Sequence, residues 1–248
     1  MSPLSAAIIL LATLVTAFIS GIFGMAGGLI LMGVLTALLP VATAMIVHGA
    51  IQMVSNGWRA WLLRKQIDWA IFARYAAGSV GAVLLLVLLA WRPDKTVVYL
   101  LLGLTPLMVW VPRKIIDLDI QKRGQAEAAG FIVQALNTLA GVAGPLLDLF
   151  FVRTDMTRQA IVATKSATQV LAHLAKIAFW SLPILAAAGE IYIPPLWLFA
   201  LAIPLSMTGT WLGGLVLERM SDVNFKRWMR WLVTVIGLVY LARAAGLL

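Results

Sequence analysis

The chain has 248 residues, of which 62% are hydrophobic and 12% are charged, with a formal net charge of +9. Soluble domains are about half apolar, so this composition excludes an ordinary water-soluble fold and predicts a multi-pass α-helical membrane protein. The absence of cysteine excludes disulfides and thiolate metal sites, and the basic charge indicates cytoplasmic loops rather than nucleic-acid binding.

Eight apolar segments follow one another along the chain. They are 3–38, 41–63, 70–91, 96–112, 127–151, 159–180, 193–216 and 227–247. A helix needs about 20 residues to cross the hydrocarbon layer, so segment 3–38 is too long for one crossing and too short for two. We therefore predict an all-α polytopic fold of about eight segments, in which 3–38 and 127–151 are broken or re-entrant helices.

Two glycine-rich runs mark the predicted breaks, at 21–28 and 141–146. Glycine and proline inside apolar segments are typical of the discontinuous helices that form transporter sites, and half-helix N-termini suit an anion. We expect positive φ angles and close approach of the solute at Gly24, Gly27 and Gly144; the alternatives are close packing of helices and a full span with a kink. The candidate site glycines are Gly24, Gly27, Gly28, Gly141 and Gly144.

A set of polar side chains follows the first break, and a similar set follows the second break 117 residues later in the chain. His48, Gln52, Asn56 and Arg59 correspond at this offset to Lys165, Gln169, His173 and Lys176. Spacings of four, four and three place each set on one face of a helix. The pattern predicts an internal duplication within one transmembrane domain: residues 1–112 form the N-terminal repeat, 113–126 a cytoplasmic linker and 127–248 the C-terminal repeat.

The distribution of basic residues predicts the topology. Segments 59–74, 113–123 and 219–230 carry most of the positive charge and should face the cytoplasm, whereas 92–95 and 181–192 should face outward. Strict alternation of eight crossings cannot satisfy this. It is satisfied if 127–151 enters and leaves on the cytoplasmic side, and the two repeats are then inverted relative to each other.

The two rows of polar side chains, which we call the polar stripes, predict an anion site. One stripe is His48, Gln52, Asn56 and Arg59, and the other is Lys165, Gln169, His173 and Lys176. The substrate-binding candidates besides the glycines are Lys165, Gln52, Gln169, His48, His173, Asn56 and Ser166. Ionisable side chains inside a membrane are rare unless they have a partner or a function, and Lys165 is the best single candidate for binding an anion. Coupling candidates are His48, His173 and Asp148, which we expect to be the only buried acid.

Each polar residue also has a structural interpretation. Lys165 would then neutralise Asp148, the histidines and glutamines would bond between helices, and Arg59 and Lys176 would extend to the membrane interface. No metal is expected, because the histidines and the aspartate lack metal-type spacing and nearby lysines oppose a cation. We expect no cofactor.

The motifs resemble those of the TauE/SafE family of sulfite and organosulfonate exporters. The resemblance rests on the run 21–28, the basic turn 64–69, Ala163-Thr164-Lys165 and the C-terminal pattern between Gly213 and Leu238. It implies an inner-membrane protein that moves small sulfur-containing anions out of the cytoplasm.

These observations predict a secondary transporter that exports small anions, sulfite or organosulfonates, by alternating access. The chain has no nucleotide-binding motif, so ATP does not drive it directly. A passive anion channel is the alternative. An intramembrane enzyme has less support, because a nucleophile–base pair is lacking. The expected partners are a small anionic substrate and the lipid bilayer, with a homodimer left open.

Overall fold

The structure, a computed structural model, describes residues 2–23, 26–111, 118–151, 154–185, 194–217, 219–220 and 222–248. These residues form ten α-helices and two 3₁₀ turns, Arg64–Gln66 and Met108–Trp110, and no strand is found among them. The all-α class is therefore confirmed. The helices are α1 (Pro3–Phe23), α2 (Ala26–Leu38), α3 (Val41–Leu62), α4 (Trp69–Leu89), α5 (Lys95–Leu107), α6 (Gln125–Ala140), α7 (Gly144–Phe151), α8 (Arg158–Leu185), α9 (Leu196–Leu217) and α10 (Asp222–Ala244).

Aspartate caps begin two of the helices. The side chain of Asp68 accepts a hydrogen bond from the backbone N–H of Ile71 at the start of α4, and Asp94 does the same for Val97 at the start of α5. Such caps satisfy N–H groups that have no partner within the helix. The N–H of Asp68 also donates to Thr164 Oγ1 at 2.9 Å, which ties the basic turn before α4 to α8.

Both long segments with glycine-rich runs contain two helices. Segment 3–38 divides into α1 and α2, and segment 127–151 lies within α6 and α7. Gly141 ends α6 with a φ of 87°, a left-handed conformation that glycine adopts without steric cost. Gly24 lies outside the described residues. The expectation of positive φ is wrong for Gly27 and Gly144, which belong to the first turns of α2 and α7 and have no positive φ.

Each of the main helix pairs joins one helix from the first half of the chain with one from the second half. Helix α1 packs on α9, and α6 packs on α4. Two further pairs are α3 with α8 and α5 with α10. The central pair, α3 and α8, carries the two polar stripes and lies beside both broken helices.

Glycines allow α1 to approach α9 closely, and α4 to approach α6. A Cβ added to Gly21 of α1 would lie 2.8 Å from the Cα of Gly213 in α9, and one added to Gly78 of α4 would overlap the backbone O of Glu127 in α6. Small residues let helices pack backbone to backbone in lipid, where hydrophobic burial contributes little to association. A Cβ on Gly81, in contrast, would make an ordinary contact of 3.6 Å with the Phe131 ring.

The apolar surface of the molecule suits a lipid environment. Three helical stretches among the described residues are long and apolar enough to cross a membrane: Pro3–Phe23, Trp69–Leu89 and Leu196–Val216. Large apolar side chains point outward from them, including Leu88 at 82% and Trp211 at 62% exposure. The polar stripes, in contrast, face the interior.

Candidate functional site

The two polar stripes meet where α3 packs against α8. His48, Gln52 and Asn56 come from α3, and Gln169 and His173 come from α8. The rings of His48 and His173 contact each other edge to face, with their centroids 5.6 Å apart. The two sets of residues that match in sequence therefore form one polar interior.

A small cavity lies at this meeting point. Its volume is about 50 Å³, enough for a few waters or one small oxyanion. Both helix breaks contribute to it, through Gly28 and Gly144. The lining residues are Ser20, Gly28, His48, Gln52, Ser55, Asn56, Arg59, Val142, Gly144, Gln169 and His173.

Arg59 supplies positive charge to the cavity. It lies in the last turn of α3, and its side chain is partly buried. Among the described residues no carboxylate lies within ion-pair distance of it. A guanidinium offers five N–H donors in a planar fork that matches oxyanions. Arg59 therefore lines the cavity and does not only extend to an interface. It supplies a positive charge, whereas the other lining groups are uncharged.

Polar atoms without partners belong to two residues that line the same cavity. The Nε2 of Gln169 and the Nδ1 of His173 are buried and have no hydrogen-bond partner among the described residues. Buried polar atoms are normally paired, and an unpaired one commonly marks a place where water or a ligand binds. Across the cavity, the Nε2 of Gln52 would lie 2.5 Å from a Cβ added to Gly28, so the glycine leaves room for that amide.

Lys165 is paired with an acid. Its Nζ donates to Oδ1 of Asp148 in α7, and neither residue lines the cavity. The expectation that Asp148 is the only buried acid is wrong: its side chain is 41% exposed, whereas Oε2 of Glu127 is buried. The two residues meet although they are 17 positions apart in the sequence.

Lys176 is fully buried, with no exposed surface. Its Nζ lies 2.9 Å from Nδ1 of His48 and 2.8 Å from the backbone O of Gly141. The interfacial interpretation of Lys176 is therefore wrong, because this amine points inward to the break between α6 and α7.

The structure brings together seven of the twelve residues predicted to bind substrate. These are Gly28, His48, Gln52, Asn56, Gly144, Gln169 and His173. Lys165, Ser166, Gly27 and Gly141 lie outside the lining, although Ser166 is buried and Gly141 accepts a hydrogen bond from Lys176. Arg59, Ser20, Ser55 and Val142 line the cavity without having been predicted to bind substrate; Arg59 and Ser55 lie on the α3 stripe, and that position was the available signal.

Metal binding finds no support in the geometry. Among the residues described, no group of three histidine, aspartate or glutamate side chains lies close enough to hold an ion. The charged group of the cavity is a cation, and the unpaired Gln169 nitrogen is a donor. This arrangement favours a small anion as the ligand.

An apolar helical fold with two broken helices, and a small donor-lined cavity where they end, is typical of membrane transporters. The family model described as Sulfite exporter TauE/SafE matches residues 9–240, and the chain belongs to this family. The family consists of membrane exporters of sulfite and related anions, which is consistent with the prediction that the protein is not an enzyme. No curated protein and no solved structure matches the chain significantly.

Proposed function

We propose that the protein is a secondary transporter that exports sulfite through the cell inner membrane by alternating access. The observation that carries this proposal is the small cavity between α3 and α8, charged by Arg59 and lined by amide and imidazole groups. Sulfite is a small oxyanion, and the lining groups are donors suited to it. An organosulfonate carries the same SO₃ group with an added carbon chain, so flux measurements rather than the head group distinguish the two anions.

The proposed binding groups come from both halves of the chain. Arg59, Gln52 and Asn56 approach the anion from α3, and Gln169 and His173 approach it from α8. Charged and uncharged donors together would replace the hydration shell that the anion loses. Gly28 and Gly144 would contribute backbone at the helix breaks, where no side chain obstructs the solute.

Lys165 and Asp148 are proposed to act at the edge of this site. An ammonium held by a carboxylate can exchange that partner for a substrate anion, which would make the ion pair a step in the transport cycle. Asp148 and His173 remain the coupling candidates. A coupled ion is not required for export, since the membrane potential alone supplies roughly 2.3 kcal/mol per charge at 100 mV.

The packing of helices between the two halves of the chain supports alternating access between inverted repeats. Helix α1 packs on α9 and α6 packs on α4, with α3 and α8 at the centre. In transporters built from inverted repeats, one repeat rocks against the other around a fixed site at their interface. The cavity lies where such movement would open it first to one side and then to the other.

Flux measurements with purified protein in liposomes test the proposal. Liposomes loaded with sulfite, an organosulfonate, sulfate or a carboxylate are compared for release of each anion. We expect saturable sulfite release that is stimulated by sulfite on the opposite side, because a carrier returns faster when loaded. Flux that neither saturates nor responds to the opposite side would support the channel alternative, and absence of anion flux would contradict both.

Arg59 has a matched control five residues away. Arg64 is exposed and donates to the backbone O of Trp61, outside the cavity. Arg59→Gln should raise the KM for sulfite about tenfold or more, because hydrogen bonds to charged groups contribute about 1.5–3 kcal/mol. Arg64→Gln should leave the KM unchanged. Equal effects of the two substitutions would show that Arg59 does not contact the substrate.

A further inference from the structure

A buried chain of hydrogen bonds joins the two helix breaks. The Nε2 of His48 lies 3.0 Å from the backbone O of Gly28, in the first turn of α2. The other ring nitrogen, Nδ1, lies 2.9 Å from Nζ of Lys176. The same Nζ lies 2.8 Å from the backbone O of Gly141, the residue that caps the C-terminus of α6. One histidine and one lysine thus connect the first break to the second.

The partners in this chain determine where the protons lie. A backbone carbonyl only accepts hydrogen bonds, so the Nε2 of His48 carries the hydrogen that Gly28 accepts. The other ring nitrogen, Nδ1, then carries no hydrogen and accepts one from Nζ of Lys176. The same Nζ donates to the Gly141 carbonyl at the C-terminal end of α6.

His48 faces the cavity, whereas Lys176 does not. His48 and Gly28 are lining residues, and Lys176 lies behind them with no exposed surface. We propose that Lys176 is a positioning residue that holds His48 as its Nε2–H tautomer, so that the cavity wall presents an N–H donor to a small deprotonated oxyanion. The oxyanion then accepts the Nε2–H in place of the Gly28 carbonyl. The ligand part of this inference rests on the proposed function, whereas the tautomer does not.

Gln169 provides a second observation that points to the same class of ligand. Its Nε2 is buried in the cavity lining and has no acceptor among the described residues. A buried amide N–H without an acceptor costs free energy, and an oxyanion oxygen would satisfy it. With Arg59 on the α3 wall, the cavity offers donors from three kinds of side chain. A cation would find no charged partner in this lining.

The two histidines of the chain make the tautomer directly measurable. Protein labelled with ¹⁵N-histidine and carrying His173→Asn has His48 as its one imidazole, and solid-state NMR in bilayers reports which ring nitrogen bears hydrogen. We expect a protonated Nε2 and an unprotonated Nδ1. Lys176→Met should remove the donor to Nδ1 and shift the Nδ1 resonance towards that of a ring nitrogen without a hydrogen bond, while the Gly28 carbonyl keeps the hydrogen on Nε2. Lys95→Met, an exposed lysine at the start of α5, is the matched control and should leave the ring unchanged.

Two results would overturn the tautomer assignment. One is an Nδ1–H ring in the His173→Asn protein itself, a measurement that decides the question even if Lys176→Met fails to fold. The other is an unchanged Nδ1 resonance in folded Lys176→Met protein.

Sulfite tests the ligand part separately. In protein with both histidines, sulfite should shift the Nε2 resonance of His48, and Lys176→Met should raise the KM for sulfite about tenfold while kcat changes less. The expected tautomer without any response to sulfite, in resonance or in flux, would overturn the ligand part and contradict the proposed function. The same tautomer with sulfite flux and an unchanged KM in Lys176→Met would overturn only the ligand part.

Discussion

His48 of α3 and His173 of α8 contact each other edge to face at the cavity, yet their hydrogen bonding differs. Both ring nitrogens of His48 have partners, whereas Nδ1 of His173 is buried without one among the described residues. In this conformation His48 therefore links α2, α3 and α8, whereas His173 keeps a nitrogen available to water or substrate.

Replacing the two histidines with leucine should therefore give different results. His48→Leu leaves both the Lys176 amine and the Gly28 carbonyl short of a partner, and we expect it to lower the free energy of unfolding by about 1–3 kcal/mol. His173→Leu should leave stability nearly unchanged and raise the KM for sulfite. Thermal unfolding in detergent and flux in liposomes measure the two effects. Equal losses of stability would show that His173 is also structural.

The ion pair between Lys165 and Asp148 can be tested by removing one partner and then both. Lys165→Met leaves the carboxylate unpaired and should cost about 1–3 kcal/mol, between the values for exposed and buried pairs. The double variant with Asp148→Leu should regain stability but stay impaired in sulfite flux, because the proposed role needs the ammonium. Arg243→Gln, near the end of α10, serves as the control and should transport normally. Recovery of flux in the double variant would leave Lys165 with a structural role alone.

Gly141 should tolerate substitution less well than another glycine of similar backbone conformation. Gly141 and Gly124 both have left-handed φ angles, of 87° and 78°. A Cβ on Gly141 would lie 2.9 Å from Cε of Met32, whereas one on Gly124 would meet nothing within 4 Å. Alanine should cost about 1–2 kcal/mol at Gly124 from backbone strain, and more at Gly141, where Met32 must also shift. Similar unfolding temperatures would show that the methionine adjusts without cost.

Cysteine labelling measures the predicted topology. The chain has no cysteine, so single exposed ones are introduced by Lys65→Cys, Arg123→Cys, Arg219→Cys and Lys95→Cys. An impermeant thiol reagent added to intact cells should label only the protein with Lys95→Cys, because the other three positions lie in segments expected in the cytoplasm. Labelling of Arg219→Cys from outside, with Arg123→Cys protected, would contradict the inverted repeats.

The sequence located the helix breaks, because glycine and proline interrupt apolar segments for local reasons. The end of α6 at Ala140 and the start of α7 at Gly144 agree with the predicted break. The common face of His48, Gln52 and Asn56 follows equally from helical periodicity. These features depend on residues that lie within a few helical turns of each other in the sequence, so a single sequence is enough to predict them.

The partners of the lysines depend on how distant helices pack, and a single sequence does not contain that information. Lys176 looked interfacial from its position near the end of a predicted span, but α8 continues to Leu185 and carries the amine into the interior. Arg59 was assigned to the interface for the same reason. Its contact with the cavity depends on α3 lying beside α8, which tertiary structure alone shows.

The pairing of α1 with α9 also affects how the protein is made. Gly21 emerges from the ribosome about 190 residues before Gly213, the glycine it packs against, and at 5–20 residues per second this interval is roughly 10–40 s. During that time α1 is in the bilayer without the surface it finally covers. The membrane insertion machinery, or lipid itself, must shield its glycine face until translation of α9 is complete.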